Sequence, residues 1–271
     1  MILVSLVLFL SAADLRFAIV GDNTGRANPG VYERVWREVD QYKPDFAIST
    51  GDMIEGGSDL KVSGEWDAMR TIFAKLQKYP RVFAAGNHDI WSAKSRAEFA
   101  KFTGKQPAWF SVDFGKRIHI TVVDNSQTES LSAEQLEFLE KDLSANQSQD
   151  VRFVCFHKPF WLIPLKLQSL KMPFHQMMKK YKVHTVFSGH VHQLHRLDRE
   201  GIIYWSVPSA GGDLRGNAGA YERGWFYGYI TGELKDQQQQ PTFRIHELGP
   251  PTGQGRVIPA QAWGENGPSA K

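Results

Sequence analysis

Val82-Phe83-Ala84-Ala85-Gly86-Asn87-His88-Asp89 is the stretch that decides the fold. Its first four residues form a short apolar run of the kind a buried strand needs, and the glycine ends it. The polar residues that follow are groups that bind cations. The same arrangement occurs twice upstream: Leu15-Arg16-Phe17-Ala18-Ile19-Val20 closes at Gly21-Asp22, and Phe46-Ala47-Ile48-Ser49-Thr50 closes at Gly51-Asp52. It recurs twice downstream, where apolar runs lead into His157 and into Gly189-His190-Val191-His192. Five strand ends therefore deliver Asp, Asp, Asn-His, His and His-x-His. In open α/β sheets, ligands bind beyond the carboxyl ends of the strands, so these side chains are expected to converge.

Helical patterns separate the strands. Pro29 opens one, a first-turn position that proline tolerates; Val31, Val35, Val39 and Tyr42 share a face, and Pro44 stops it. Ser63 is placed to cap a helix carrying Trp66, Met69, Ile72, Phe73 and Leu76, and Ser92 a shorter one through Phe99 and Phe102. Ser132 and Gln135 read as a capping box before Leu136, Leu139 and Leu143. A last helix is expected over residues 170–181. Residues 109–114 and 117–123 read as a hairpin turning near Gly115, and residues 194–198, 202–207, 225–230 and 242–248 as antiparallel returns. Strand–helix alternation with two β-rich returns predicts an α/β fold of two packed sheets flanked by helices.

The chain has 271 residues, 42% apolar and 23% charged, enough for one large domain or two small ones. The net charge of +3 comes from interspersed residues, and the absence of a long basic run argues against nucleic acid as a partner. A single cysteine, Cys155, excludes an intrachain disulfide, and its apolar neighbours predict burial. The apolar run Ile2-Leu3-Val4-Ser5-Leu6-Val7-Leu8-Phe9-Leu10 is too short to span a bilayer as a helix. Followed by Ser11-Ala12-Ala13, it reads as a signal peptide over residues 1–13, although no Lys or Arg precedes it. Export to the periplasm or exterior follows, with no transmembrane span in the mature chain. One domain is expected over residues 14–248. Residues 249–271, rich in Gly, Pro and Gln, are expected to be a mobile tail.

Asp22 and Asp52 supply negative charge, and one carboxylate can bridge two cations. Asn87 offers a neutral carbonyl oxygen; His157, His190 and His192 offer imidazole nitrogens. In an extended segment residues i and i+2 point to the same side, so His190 and His192 are expected to face one site while reaching different ions. Two-metal hydrolases hold their ions about 3.5–4 Å apart. Nitrogen and oxygen donors suit two transition-metal ions, Mn, Fe, Zn or Co, among which affinity order alone does not choose.

Taken in order, Gly21-Asp22, Gly51-Asp52, Gly86-Asn87-His88-Asp89, His157 and Gly189-His190-Val191-His192 resemble the calcineurin-like metallophosphoesterase superfamily, over about residues 15–208. The resemblance implies a four-layer α/β/β/α sandwich and hydrolysis of phosphate esters by a metal-bound hydroxide. It places Asp22 and His192 on a first metal and Asn87, His157 and His190 on a second, with Asp52 bridging. It makes His88 a contact to the substrate phosphate and a proton donor to the leaving oxygen, and leaves Asp89 to orient the turn. Two departures stand out. Many members carry His two residues after the first Asp, where this chain has Thr24, and purple acid phosphatases carry Tyr three residues after the second Asp, where it has Glu55. The first metal would then rely on water, Asn23 or a carboxylate.

Other features carry competing readings. Lys158-Pro159-Phe160-Trp161-Leu162-Ile163-Pro164 is either an apolar lid that grips a leaving group or a packed loop. In Ser209-Ala210-Gly211-Gly212-Asp213-Leu214-Arg215-Gly216, and on to Arg223, the arginines Arg215 and Arg223 either clamp phosphate oxygens or are solvated loop cations. His119, His184 and His195 lie outside the pattern and are expected to be structural. Two other classes remain beside the phosphoesterase: a noncatalytic metal- or protein-binding scaffold retaining the fold, and a nuclease, which would need a basic track with aromatic residues.

Overall fold

The computed structural model describes residues 14–217, 220–251, 253 and 255–268. The expected signal peptide lies outside the described residues. In chain order the elements are β1 (Leu15–Val20), α1 (Val31–Tyr42), β2 (Phe46–Ser49), α2 (Val62–Ala74), β3 (Arg81–Phe83), α3 (Ala93–Thr103), β4 (Phe110–Phe114), β5 (Ile118–Val122) and α4 (Ala133–Ala145). They continue with β6 (Val151–Cys155), α5 (Leu162–Lys166), α6 (Pro173–Lys180), β7 (Thr185–Ser188), β8 (His195–Arg199), β9 (Ile202–Ser206), β10 (Gly228–Leu234), β11 (Thr242–Glu247) and β12 (Val257–Pro259).

Two six-stranded mixed sheets result, ordered β12-β11-β10-β1-β2-β3 and β4-β5-β6-β7-β9-β8. Period-two alternation in the strands sets the layers. Phe17 and Ile19 of β1 join Phe46, Ile48, Phe153, Cys155, Phe187 and Trp205 in a core between the sheets. Ala18 and Val20, on the other face of β1, pack with Val35, Trp36 and Trp66 of the helices covering the first sheet. Val154 and Val186 pack with Leu139, Leu143 and Met178 on the outer face of the second. The architecture is the α/β/β/α sandwich that the sequence predicts.

The parallel strands β1, β2 and β3 point one way, as do β5, β6 and β7 in the other sheet. Their carboxyl ends meet at one edge: the ring of His157, just past β6, reaches the Thr50 carbonyl just past β2, with Nδ1 2.9 Å from the oxygen.

Several local expectations change. The last strands are not one antiparallel group. β8 and β9 form a hairpin, but β9 also runs parallel to β7, while β10 crosses back to pair antiparallel with β1. The helix expected to be capped by Ser63 begins two residues earlier, with Lys61 at its N-cap, and the Ser63 hydroxyl donates to Glu98 at 2.9 Å. The expected capping box is half formed: Ser132 caps the Gln135 amide, but the Gln135 side chain turns to the backbone of Asp124. Past Gly249 the expected mobile tail is instead partly built into the fold. β12 extends the first sheet antiparallel to β11, and Trp263 is buried in the inter-sheet core. Polar composition hid this, because the anchor is one aromatic side chain with an edge strand to extend.

His119 has the structural role expected of it. It lies in β5 between Asp113 of β4, at 2.6 Å, and Asp142 of α4, at 2.8 Å. Burial alone would lower its pKa, but the two carboxylates raise it above the ordinary imidazole value. Stability from the charged ring is therefore complete below the unfolded value of about 6.5 and is lost as pH rises through the higher folded value. His119→Gln is expected to flatten this part of the stability–pH profile measured by chemical unfolding. Phe17, fully buried, touches Phe46, Phe153 and Phe243 across both sheets. Phe17→Ala is expected to cost about 3–5 kcal/mol in the same measurement.

Candidate metal centre

Close approach of backbones builds the site. A Cβ on Gly86 would lie 2.1 Å from Asp52 Oδ1 and 2.3 Å from the Asp52 nitrogen, and one on Gly189 would lie 2.3 Å from Asp22 Oδ1. These glycines are what let the loops after β3 and β7 press onto the two aspartates. Asp52, His190 and His192 have positive φ angles of 56°, 70° and 60°, a region that non-glycine residues enter rarely. The extended i, i+2 geometry expected for the two histidines is therefore not what presents them; two left-handed kinks on either side of Val191 do.

Asp89 fixes the loop holding Asp52. Its buried carboxylate accepts from the amides of Asp52 at 2.7 Å, Met53 at 2.9 Å and Gly86 at 2.9 Å. Burial, then the charge of Asp52, raises its pKa. Asp52 in turn accepts the His88 amide on Oδ1 at 2.7 Å and faces His157 Nε2 from Oδ2 at 3.1 Å.

The candidate ligands fall into two groups. Asp52, His157 and His190 have donor atoms within 4.8 Å of one another, and so do Asp22, Asp52 and His192; Asp52 belongs to both. Asn87 joins the former, its Oδ1 3.1 Å from His157 Nε2, and His190 Nδ1 lies 3.2 Å from the same nitrogen. In the latter, His192 Nε2 lies 3.4 Å from Asp22 Oδ2. Asp22 Oδ1 is buried and has no hydrogen-bond partner among the described residues.

These atoms suit cations. Lone pairs of two imidazoles, an amide oxygen and a carboxylate oxygen meet with no donor of their own except a proton. Burial disfavours a charged His157, but the Asp52 carboxylate outweighs it and raises the His157 pKa. The Asp52 carboxyl is lowered correspondingly: burial opposes its charge, and His157 reverses the balance. The positive charge demanded here is the one a metal would provide. His190 is pushed down to about 4, by burial and then by the His157 charge, so its ring is neutral and free to ligate. Backbone carbonyls orient the other rings. His157 Nδ1 faces Thr50 O, and His192 Nδ1 faces Asp213 O at 2.6 Å. Each Nδ1 must donate to its carbonyl, which fixes the ring and leaves Nε2 turned inward, as histidine ligands are commonly held.

His88 stands beside the groups rather than in them. Its Nδ1 lies 2.5 Å from the Glu55 carbonyl, so Nδ1 donates and Nε2 is left available. Arg215 is exposed at the mouth, with a guanidinium nitrogen 3.4 Å from the His190 carbonyl. Arg223 lies in a 3-10 turn, and its backbone carbonyl accepts from the side chain of Gln193, the residue after His192, which does not bring it into the donor groups.

The substituted positions take other tasks. Thr24 is buried and donates its hydroxyl to Asp52 Oδ2 at 3.3 Å. The Asn23 amide donates to Met53 O. The Glu55 carboxylate accepts the Arg26 amide at 3.0 and 3.2 Å and is absent from both donor groups. The segment after His157 is packed: Trp161 is fully buried with Nε1 donating to Ser188 Oγ, and Phe160 stacks on Phe156. Sequence reasoning missed Asn125, whose Oδ1 accepts the His157 and Lys158 amides while its Nδ2 donates to the Lys158 carbonyl. The signal was present, since Asp124-Asn125 closes the apolar run of β5 as Gly-Asp closes β1 and β2.

A family model described as calcineurin-like phosphoesterase matches residues 15–194. The Fe(3+)-Zn(2+) purple acid phosphatase 12 of Arabidopsis thaliana is 25% identical over 166 residues, which is 54% of this chain and 35% of that protein. A probable cyclic nucleotide phosphodiesterase of Moraxella catarrhalis (strain BBH18) is 25% identical over 184 residues, 60% of this chain and 64% of that protein. The chain thus spans less than two thirds of either relative. Among solved structures, a purple acid phosphatase from yellow lupin (Lupinus luteus) seeds superposes with a TM-score of 0.65 at 17% identity, covering 92% of this chain and 54% of that one.

Asp89→Ala would leave three buried amides without an acceptor. The expected loss of stability is on the order of 3 kcal/mol or more, measured by denaturant unfolding of the metal-free protein. A loss under about 1 kcal/mol would show that the two loops hold Asp52 without it.

Proposed function

Because the chain belongs to the calcineurin-like phosphoesterase family, we propose that it hydrolyses phosphate esters at a two-metal site. Asp22, Asp52 and His192 would hold one ion, and Asp52, Asn87, His157 and His190 the other. The observation that carries this reading is the presence of Asp52 in both donor groups. When bound, two such ions acidify a water and neutralise charge building on the phosphoryl oxygens.

The chain's own residues do the rest. Asp89 and the His88 amide fix Asp52. The Thr50 and Asp213 carbonyls fix the tautomers of His157 and His192. His88, with Nδ1 held by Glu55 O, keeps Nε2 to carry a proton to the leaving oxygen. The names of the relatives favour ester hydrolysis in both monoester and diester forms, and this reading commits to the shared phosphoryl chemistry. Export, resting on the apolar run over residues 2–10, is part of the proposal and is tested by fractionating cells that express the full chain.

Thr24 favours a second reading, a scaffold that keeps the fold without turnover. The hydroxyl stands where many family members place a histidine and leaves three residues in the first group. Metal refilling separates the two. Chelator-stripped protein is refilled with Mn, Fe, Zn or Co and assayed on p-nitrophenyl phosphate and bis-p-nitrophenyl phosphate. The phosphoesterase binds two ions per chain and turns over, and Asp52→Asn loses hydrolysis by at least about 10²-fold with fewer ions bound. One ion or none, with no turnover on either ester, would leave the scaffold. His88→Ala is expected to keep both ions and lose rate; full turnover in that protein would remove His88 from proton transfer.

A further inference from the structure

Two arginines at the mouth share an uncommon backbone state. Arg26 and Arg215 have positive φ angles of 67° and 51°, and the amide of each is held by a carboxylate. Glu55 accepts the Arg26 amide on both oxygens, and Asp213 Oδ1 accepts the Arg215 amide at 2.8 Å. Left-handed backbone at non-glycine residues persists where its surroundings impose it, and such residues cluster at functional sites.

The contacts form a ring around the candidate centre. Glu55 links Arg26 to His88, through its carboxylate on one side and its carbonyl on the other. Asp213 links Arg26 to Arg215, through Oδ2 at 3.3 Å from the Arg26 guanidinium and Oδ1 on the Arg215 amide. The Asp213 carbonyl also holds the His192 ring, and the Arg215 guanidinium rests on the His190 carbonyl. The strand-like strap beneath is pinned: the Ala210 and Gly212 amides donate to Asp22 O, and the Asp213 amide to Thr24 O. The Arg26 side chain is 91% exposed, so its ion pair is weak. It aims the guanidinium without trapping it.

We infer that Arg26 and Arg215 are a paired clamp for the non-bridging oxygens of the phosphoryl group, and that Asp213 is the positioning residue tying this clamp to His192. Guanidinium forks match phosphate geometry, and both side chains stand one contact from a candidate ligand residue: Arg215 on the His190 carbonyl, Arg26 on Asp213, whose own carbonyl holds His192. The inference rests on the phosphoesterase reading for its substrate, but Asp213's link to His192 concerns metal retention and is tested without turnover.

The experiment compares Arg26→Ala, Arg215→Ala, Asp213→Ala and Asp213→Asn in the metal-refilled full chain. It reads KM and kcat on p-nitrophenyl phosphate, binding of inorganic phosphate by calorimetry, and chelator release of Co(II) followed by its visible absorbance. Each arginine variant is expected to raise KM and weaken phosphate binding by about tenfold, with kcat changed far less. Asp213→Ala is expected to weaken phosphate binding and to speed release of one Co(II) by about tenfold. Asp213→Asn keeps an oxygen for the Arg215 amide but loses the charge facing Arg26. It is expected to restore slow Co(II) release and to keep the phosphate defect. Phosphate binding within twofold of wild type in both arginine variants would overturn the clamp. Equal metal loss in both Asp213 variants would overturn the positioning role in favour of a general structural one. Wild-type protein that binds phosphate and Co(II) without turnover, with phosphate binding weakened in the arginine variants, would refute the phosphoesterase reading and leave the clamp supported.

Discussion

A buried carboxylate that accepts three backbone amides organises this molecule. Asp89 binds the amides of Asp52, Met53 and Gly86 at once, and so locks the loop after β2 onto the loop after β3. Among the described residues the amides have no other acceptor, and leaving them unpaired in the interior would be costly. The lock sets where Asp52 points. Asp52 in turn receives the His88 amide, the Thr24 hydroxyl and the His157 ring. Through His157 the constraint passes to the second sheet, because the same ring donates to the Thr50 carbonyl and its backbone is clasped by Asn125. The two sheets are thus registered at this edge by polar contacts as well as by the aromatic core between them.

The same edge concentrates backbone strain. Asp52, His190 and His192 all sit at positive φ, and their glycine neighbours stand within a Cβ's reach of buried carboxylate oxygens. Strain of this kind costs about 1–3 kcal/mol per residue and would relax if the loops were free. Three things prevent it: the Asp89 amide bonds, the His190 amide on Asp22 Oδ2, and the strap from Ser209 whose amides close on Asp22 and Thr24. Pre-set donors lose little freedom when an ion arrives, which is the benefit of building a metal centre on rigid strand ends.

Much of this was legible in the chain because the relevant signals are local. An apolar run closing at Gly-Asp, Gly-Asn-His or Gly-His names both a strand and what its end presents. Alternation along Phe17, Ala18, Ile19 and Val20 gives the two faces of β1. What stayed hidden depends on distant partners. Nothing near residues 228–234 says that β10 leaves the second sheet to pair with β1, and nothing in the polar stretch after Gly249 marks Trp263 as a core residue. The left-handed turns at His190 and His192 also escaped, because their cause is Asp22, 168 residues away in sequence. Asn125 was legible by the rule applied to the other strand ends and was missed only because its strand was read as half of a hairpin.

Charge explains why the centre calls for cations and why an anion would follow. Asp22 and Asp52 bring two negative charges into fully enclosed positions, beside histidines whose inward nitrogens are lone pairs. Without an ion, protons compensate: burial opposes charge on both rings, but Asp52 raises the His157 pKa and Asp22 raises that of His192. In the two-metal reading, two divalent ions would replace those protons and leave the pocket with a net charge of about +2. The excess is uncompensated in a site walled by protein, where fields are screened less than in water. A phosphoryl dianion cancels it. Arg26 and Arg215 then add donors only at the rim, where Asp213 pairs with the Arg26 guanidinium and holds the Arg215 amide. This places most of the drive for binding on the ions, with the two arginines of the proposed clamp adding to it at the rim.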